Sequence, residues 1–166
     1  GGLLARAARA DREVEVIAHR GASADAPENT LAAIQLAIDH GADWVEIDVQ
    51  ETADGQVVVF HDSDFMRLAG DPLKIWEATR ENLASLDVGS SFSPRYRNER
   101  VPSLAEVLQI CRGRVGLLIE LKYYGHEERL EERVLEQVAE QEMPTDVRSM
   151  SLTRNGIETL KAMAPP

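Results

Sequence analysis

The 166-residue chain is poor in cysteine, in positive charge and in long apolar runs. Cys111 is its only cysteine, so no disulfide can close within the chain, and this leans towards a reducing compartment. Lysine and arginine number 18 against 29 aspartates and glutamates, for a formal net charge of −11. Such a balance argues against a general nucleic-acid binder, which needs a basic face. It does not exclude an anionic substrate, because a bound divalent cation can supply local positive charge. No apolar stretch approaches the length of a membrane span, and no signal peptide stands out. What remains is an ordinary globular composition, 43% hydrophobic and 28% charged, long enough for one domain with a sizeable core.

Both ends look cut. The chain opens on Gly1 rather than Met, and residues 3–12 are expected to form a short basic helix bearing Arg6, Arg9 and Arg12. It closes on Ala164-Pro165-Pro166, just beyond an amphipathic helix expected at 154–163. The natural protein is therefore expected to continue in both directions. Residues 1–13 read as a lead-in to a domain spanning 14–166.

Between those ends, strand-like and helix-like segments alternate. Strands are expected at 14–18, 44–49, 57–60, 115–121 and 147–151, and helices at 30–40, 103–111 and 127–141. Asn29 is expected to cap the first of these helices, and Gly41 to end it. Ser103 and Glu106 are spaced as a capping box. The alternation implies a mostly parallel sheet covered by helices. Only about seven residues separate the second and third strands, too few for a helical crossover, and they include the tight-turn pair Asp54-Gly55. A simple hairpin there would set Asp48 opposite His61, with Glu46 on the same face. Residues 63–101 read as irregular, a long segment suited to a functional insertion or lid.

The candidate chemistry gathers at the ends of these strands. Glu46 and Asp48 alternate along one strand and so point one way; paired hard oxygens suit Mg²⁺ or Ca²⁺, although a solvent-facing strand would look the same. Glu120 and Lys122 follow the apolar run 117–119, where charges need partners or a ligand; a structural ion pair is the plain alternative. His19 and His61 each end a strand, and two such histidines suit a general acid and a general base near neutral pH. Arg20 can grip a phosphate bidentately, or can be a surface arginine. This inventory is the one needed for metal-assisted cleavage of a phosphate ester. His40, His126, Cys111, Trp44 and Trp76 read as packing or surface residues.

Taken in order, His19-Arg20-Gly21, Ala26-Pro27-Glu28-Asn29-Thr30, Glu46-Ile47-Asp48-Val49-Gln50-Glu51-Thr52, Asp54-Gly55, Val59-Phe60-His61-Asp62 and Glu120-Leu121-Lys122 resemble the glycerophosphodiester phosphodiesterases. The resemblance implies a (β/α)₈ TIM barrel with its site at the carboxyl ends of the strands, here truncated after about five strands. It implies a small insertion after the third strand, at about 63–101, that helps shape the substrate pocket. It implies metal-dependent hydrolysis of glycerophosphodiesters to sn-glycerol 3-phosphate and an alcohol. His19 and His61 would be the acid–base pair, and Glu46, Asp48 and Glu120 would hold one divalent ion, Ca²⁺ or Mg²⁺. Arg20 and Lys122 would bind the phosphate. Met66-Arg67-Leu68-Ala69-Gly70 and Ser149-Met150-Ser151-Leu152 depart from the family's usual pattern, which bears on substrate preference. A phospholipid head-group phosphodiesterase of the same superfamily, or an inactive fragment serving as a binding or assembly module, are the competing readings. The basic start of the chain leaves membrane anchoring through upstream sequence open; compartment and oligomeric state are not encoded legibly.

Overall fold

The computed structural model describes residues 14–143 and 146–151; the helices expected at 3–12 and 154–163 lie outside them. Strand β1 (Ile17–His19) leads through a turn-rich loop into helix α1 (Leu31–Asp39). Strands β2 (Trp44–Glu51) and β3 (Val57–Val59) follow, joined by a tight turn. An excursion then carries β4 (Asp64–Phe65), the short helix α2 (Met66–Ala69), β5 (Asp71–Lys74) and α3 (Arg80–Ala84). The main fold resumes with α4 (Leu104–Cys111), β6 (Gly116–Leu121), α5 (Leu130–Glu140) and β7 (Val147–Ser151).

Among the described residues, the main sheet has five strands. Four are parallel neighbours in the order β1-β2-β6-β7, and β3 pairs antiparallel with β2. A parallel sheet with a helix crossing between successive strands is the arrangement of a barrel wall. Alternation along each strand decides what faces what. Val45, Ile47 and Val49 of β2 and Leu117, Ile119 and Leu121 of β6 pair in register and join the buried core. Ile34 and Ala37 of α1, Leu104, Val107, Leu108 and Cys111 of α4, and Leu130, Val134 and Val138 of α5 cover that face. The opposite face carries Glu46, Asp48, Gln50 and Glu120.

Three local expectations are corrected. Thr30, not Asn29, caps α1: its hydroxyl accepts from the Ala33 N–H, while Asn29 adopts φ +55° and turns inward. The β2–β3 turn has three residues rather than two, with Gly55 at φ +77° and Thr52 N–H donating to the Gln56 carbonyl. A three-residue turn with a left-handed glycine adds a bulge, which slips the register by one. Val49 thus faces Val59, and the Phe60 N–H, not His61, meets the Asp48 carbonyl. The segment 63–101 is also far from irregular. It builds the β4–β5 hairpin and buries Phe65, Ile75, Ala78, Leu83, Leu86, Val88 and Val101 with Val58 and Phe60 as a second core. The Phe60 and Phe65 rings pack at a tilt with centroids 4.8 Å apart, so the strand end that carries His61 is anchored in this second core.

Candidate active site

Parallel register alone assembles the acidic centre. Asp48 pairs with Glu120 across β2 and β6, and Glu46 pairs with His19 across β1 and β2. Residues paired in a sheet put side chains on the same face, so two carboxylates and an imidazole join Glu46 there. One oxygen from each of Glu46, Asp48 and Glu120 lies within 4.8 Å of the others. His19 Nε2 stands 3.6 Å from Glu46 Oε2, and its side chain is 66% exposed, open to an incoming molecule.

Two cations frame these carboxylates. The Lys122 ammonium sits 2.8 Å from Glu120 Oε1 and 3.7 Å from Asp48 Oδ1. The Arg20 guanidinium reaches Asp48 Oδ2 at 3.2 Å and donates to Glu28 Oε2 at 3.0 Å, while its own backbone N–H donates to Glu46 Oε2 at 3.1 Å. Arg20 is mostly buried, so the surface alternative is excluded. To make these contacts it takes φ +54°, a conformation that costs a non-glycine residue energy and persists where surroundings impose it. Gly21 follows at φ +79°; a Cβ there would lie 2.7 Å from the Ala33 carbonyl carbon, so only glycine lets this loop seat on α1.

The carboxylates themselves behave differently. Burial, reinforced by the Asp48 charge, pushes Glu46 above the ordinary carboxylate range. Burial and the contact with Glu120 likewise push Asp48 up, against the pull of Asn29 and Arg20. Burial also acts to raise Glu120, but its bonds to Lys122 and Asp48 outweigh that and hold it low. Asp48 is fully buried, and its Oδ1 has no hydrogen-bond donor. A buried carboxylate oxygen without a donor is costly unless a cation takes its place. The three hard oxygens therefore fit a divalent metal.

His61 stands on the other rim. Its Nδ1 lies 2.8 Å from Asp62 Oδ1, its carbonyl accepts from the Tyr124 hydroxyl at 2.7 Å, and the ring lies within electrostatic reach of Asp48 and Glu120. Burial opposes ionisation of Asp62, but Arg67 and His61 hold its carboxyl below the usual range. With Nδ1 bound to an anion, Nε2 is left for proton exchange.

Asn29, Gln50 and Asp62, which stand in the motifs but carry no site role on sequence grounds, join the site as well. Buried Asn29 donates to Asp48 Oδ2 at 3.0 Å and accepts from the Asp48 N–H at 3.4 Å. The Gln50 amide donates to the Phe60 and Asp62 carbonyls at 2.8 and 2.7 Å, gripping the backbone on either side of His61. Gln50 lies two residues past Asp48, so strand alternation already placed it on the same face as Glu46 and Asp48. A cavity of about 380 Å³, bounded by Arg20, Glu28, Arg67 and Phe92, opens between the site and the excursion. His126 is away from the acidic centre, stacked on Trp76 at 4.0 Å, and Cys111 is a buried core residue with its thiol pushed up to about 12.

A model of the glycerophosphoryl diester phosphodiesterase family matches residues 19–161. The chain belongs to that family. A glycerophosphodiester phosphodiesterase from Caldanaerobacter subterraneus is 36% identical over 156 residues, covering 90% of this chain and 63% of the relative. Among solved structures, a glycerophosphodiester phosphodiesterase from Agrobacterium tumefaciens superposes with a TM-score of 0.82 at 35% identity, covering 92% of this chain and 64% of that one. An Oleispira antarctica phosphodiesterase, solved with the product sn-glycerol-3-phosphate, gives 0.78 at 36% identity, with 90% and 62% covered. The chain thus spans less than two thirds of each of these three proteins, and its sheet is part of their TIM barrel. The family is one of metal-dependent phosphodiesterases, and the Glu46–Asp48–Glu120 cluster supplies this member's candidate centre. Among the described residues, no helix is long and apolar enough to cross a membrane.

Proposed function

We propose that the protein hydrolyses glycerophosphodiesters to sn-glycerol 3-phosphate and an alcohol. The observation that carries this is the convergence of Glu46, Asp48 and Glu120 within 4.8 Å, bracketed by Lys122 and Arg20. The product named in the Oleispira antarctica structure supports the choice of substrate. Glu46, Asp48 and Glu120 would hold one Mg²⁺ or Ca²⁺, which when bound supplies positive charge opposite the phosphoryl oxygens.

The chain's own groups do the rest. Arg20 and Lys122 bind the phosphate and offset the charge that builds on its oxygens as the bond to the alcohol breaks. Their present carboxylate partners keep both aimed into the site before substrate arrives. His19 and His61 flank the acidic centre as the acid–base pair. One imidazole takes the proton of the attacking hydroxyl, from water or from the glycerol itself, and the other gives a proton to the leaving alkoxide. Asp62 holds the His61 ring, and Gln50 holds the backbone beneath it.

The test is release of glycerol 3-phosphate from glycerophosphocholine and glycerophosphoethanolamine by the full-length protein with Mg²⁺, Ca²⁺ or EDTA. Metal-dependent release that disappears in His61→Ala is expected. No release from a folded protein under either metal would overturn the assignment.

A further inference from the structure

We propose that Arg67 is a positioning residue whose guanidinium ties His61 to Arg20, so that the proton-transfer side and the phosphate-binding side of the site are held as one unit. This rests on the phosphodiesterase reading for its kinetic part, and on geometry alone for the rest.

Arg67 sits on α2, in the excursion, outside both the sheet and the acidic centre. Its side chain is nevertheless shared between two carboxylates. Nη1 and Nη2 donate to Glu28 Oε1 and Oε2 at 2.6 and 3.1 Å, and Nε and Nη2 donate to Asp62 Oδ2 and Oδ1 at 2.9 and 3.0 Å. Each carboxylate passes the restraint on. Asp62 Oδ1 meets His61 Nδ1 at 2.8 Å, and Glu28 Oε2 accepts from Arg20 Nη1 at 3.0 Å. Arg20 in turn reaches Asp48 Oδ2. An unbroken line of charge-assisted contacts therefore runs from His61 through Asp62, Arg67, Glu28 and Arg20 to the acidic centre.

An ordinary half-exposed ion pair would contribute little, because water and salt screen it. The arrangement here differs in using both edges of one planar fork, each bidentate, and only arginine has donors for that. Both carboxylates respond: although burial opposes it, Arg67 contributes to holding Glu28 and Asp62 ionised. An ionised Asp62 requires the proton of a neutral His61 to sit on Nδ1, which leaves Nε2 free. Among the described residues, Arg67 is the donor that holds the Asp62 carboxylate from the Glu28 side, so its loss frees Asp62 to turn away from the ring.

The experiment has two readouts on the full-length protein. Nitrogen-15 NMR of the imidazole reports the His61 tautomer without any need for turnover. The Nδ1–H form is expected in the wild type and an averaged ring in Arg67→Met, with Arg67→Lys, which keeps the charge but not the fork, intermediate. Steady-state kinetics with glycerophosphocholine and saturating Mg²⁺ is expected to show kcat down about 10- to 100-fold in Arg67→Met, the usual scale for losing a group that orients a catalytic side chain. The double variant Arg67→Met/Asp62→Asn is expected to lose less kcat than the product of the two single losses, since the His61 part of each effect passes through the same ring. A retained Nδ1–H tautomer in Arg67→Met, or kcat losses that multiply in the double variant, would overturn the proposal. Absence of turnover in the wild type would strike the phosphodiesterase reading instead, and the tautomer would still decide the role of Arg67.

Discussion

Replacing Asn29 separates what holds the acidic centre from what holds the loop. Asn29 combines two costs in one residue: a left-handed backbone at φ +55° and a buried amide bonded to Asp48 at 3.0 Å. A hydrogen bond to a charged group contributes about 1.5–3 kcal/mol, and the left-handed backbone costs a residue with an ordinary Cβ about 1–2 kcal/mol. Asn29→Ala should therefore destabilise the metal-free protein by about 3–4 kcal/mol. Asn29→Gly keeps the backbone at no steric cost and loses only the amide, so its loss should stay near about 2 kcal/mol. Urea unfolding at fixed pH measures both. In either variant Asp48 loses the donor that orients it, and affinity for Mg²⁺ or Ca²⁺ should fall about 10- to 100-fold by calorimetric titration. Wild-type metal affinity in Asn29→Gly, or equal stability losses in the two variants, would refute the argument that Asn29 serves Asp48 through its amide.

Other outcomes follow from neighbouring contacts. Gln50→Leu leaves the Phe60 and Asp62 carbonyls without their donor; kcat should fall with little change in KM, measured on glycerophosphocholine. Arg133→Met strands the buried Glu51, which pairs with Arg133 Nε at 2.9 Å and also accepts from the Glu128 and Arg129 N–H groups, so urea unfolding should show a loss of about 3 kcal/mol. Glu28 and Asp62 are held below their ordinary values of 4.5 and 3.8, so the unfolded chain binds protons before the folded one does. Their contribution is present above about pH 4.5 and is lost as pH falls through the lower folded values; Glu28→Gln should flatten that acid limb of the stability curve. Gly21→Ala, which drives a methyl into Ala33 at φ +79°, should unfold at markedly lower urea with the β1–α1 loop displaced.

Alternation and local spacing determined much of this protein before any coordinates. Glu46 and Asp48 had to share a face because side chains repeat every two residues along a strand, and Ser103 with Glu106 had to cap α4 because their spacing closes the box. The motifs around His19, His61 and Glu120 carried the family. Tertiary structure alone decided the rest, because it depends on register and on contacts distant in sequence. A single left-handed residue, Gly55, slipped the β3 register so that Asp48 faces Phe60 rather than His61. The Asp48–Glu120 pairing depends on a parallel neighbour 72 positions later in the chain, through hydrogen bonds that no local pattern encodes. Segment 63–101 looked irregular because its apolar residues follow no period, yet they bury together with Val58 and Phe60 in a second core. That core is what brings Arg67 to Glu28, 39 residues away, and closes the line of charges between the two rims of the site.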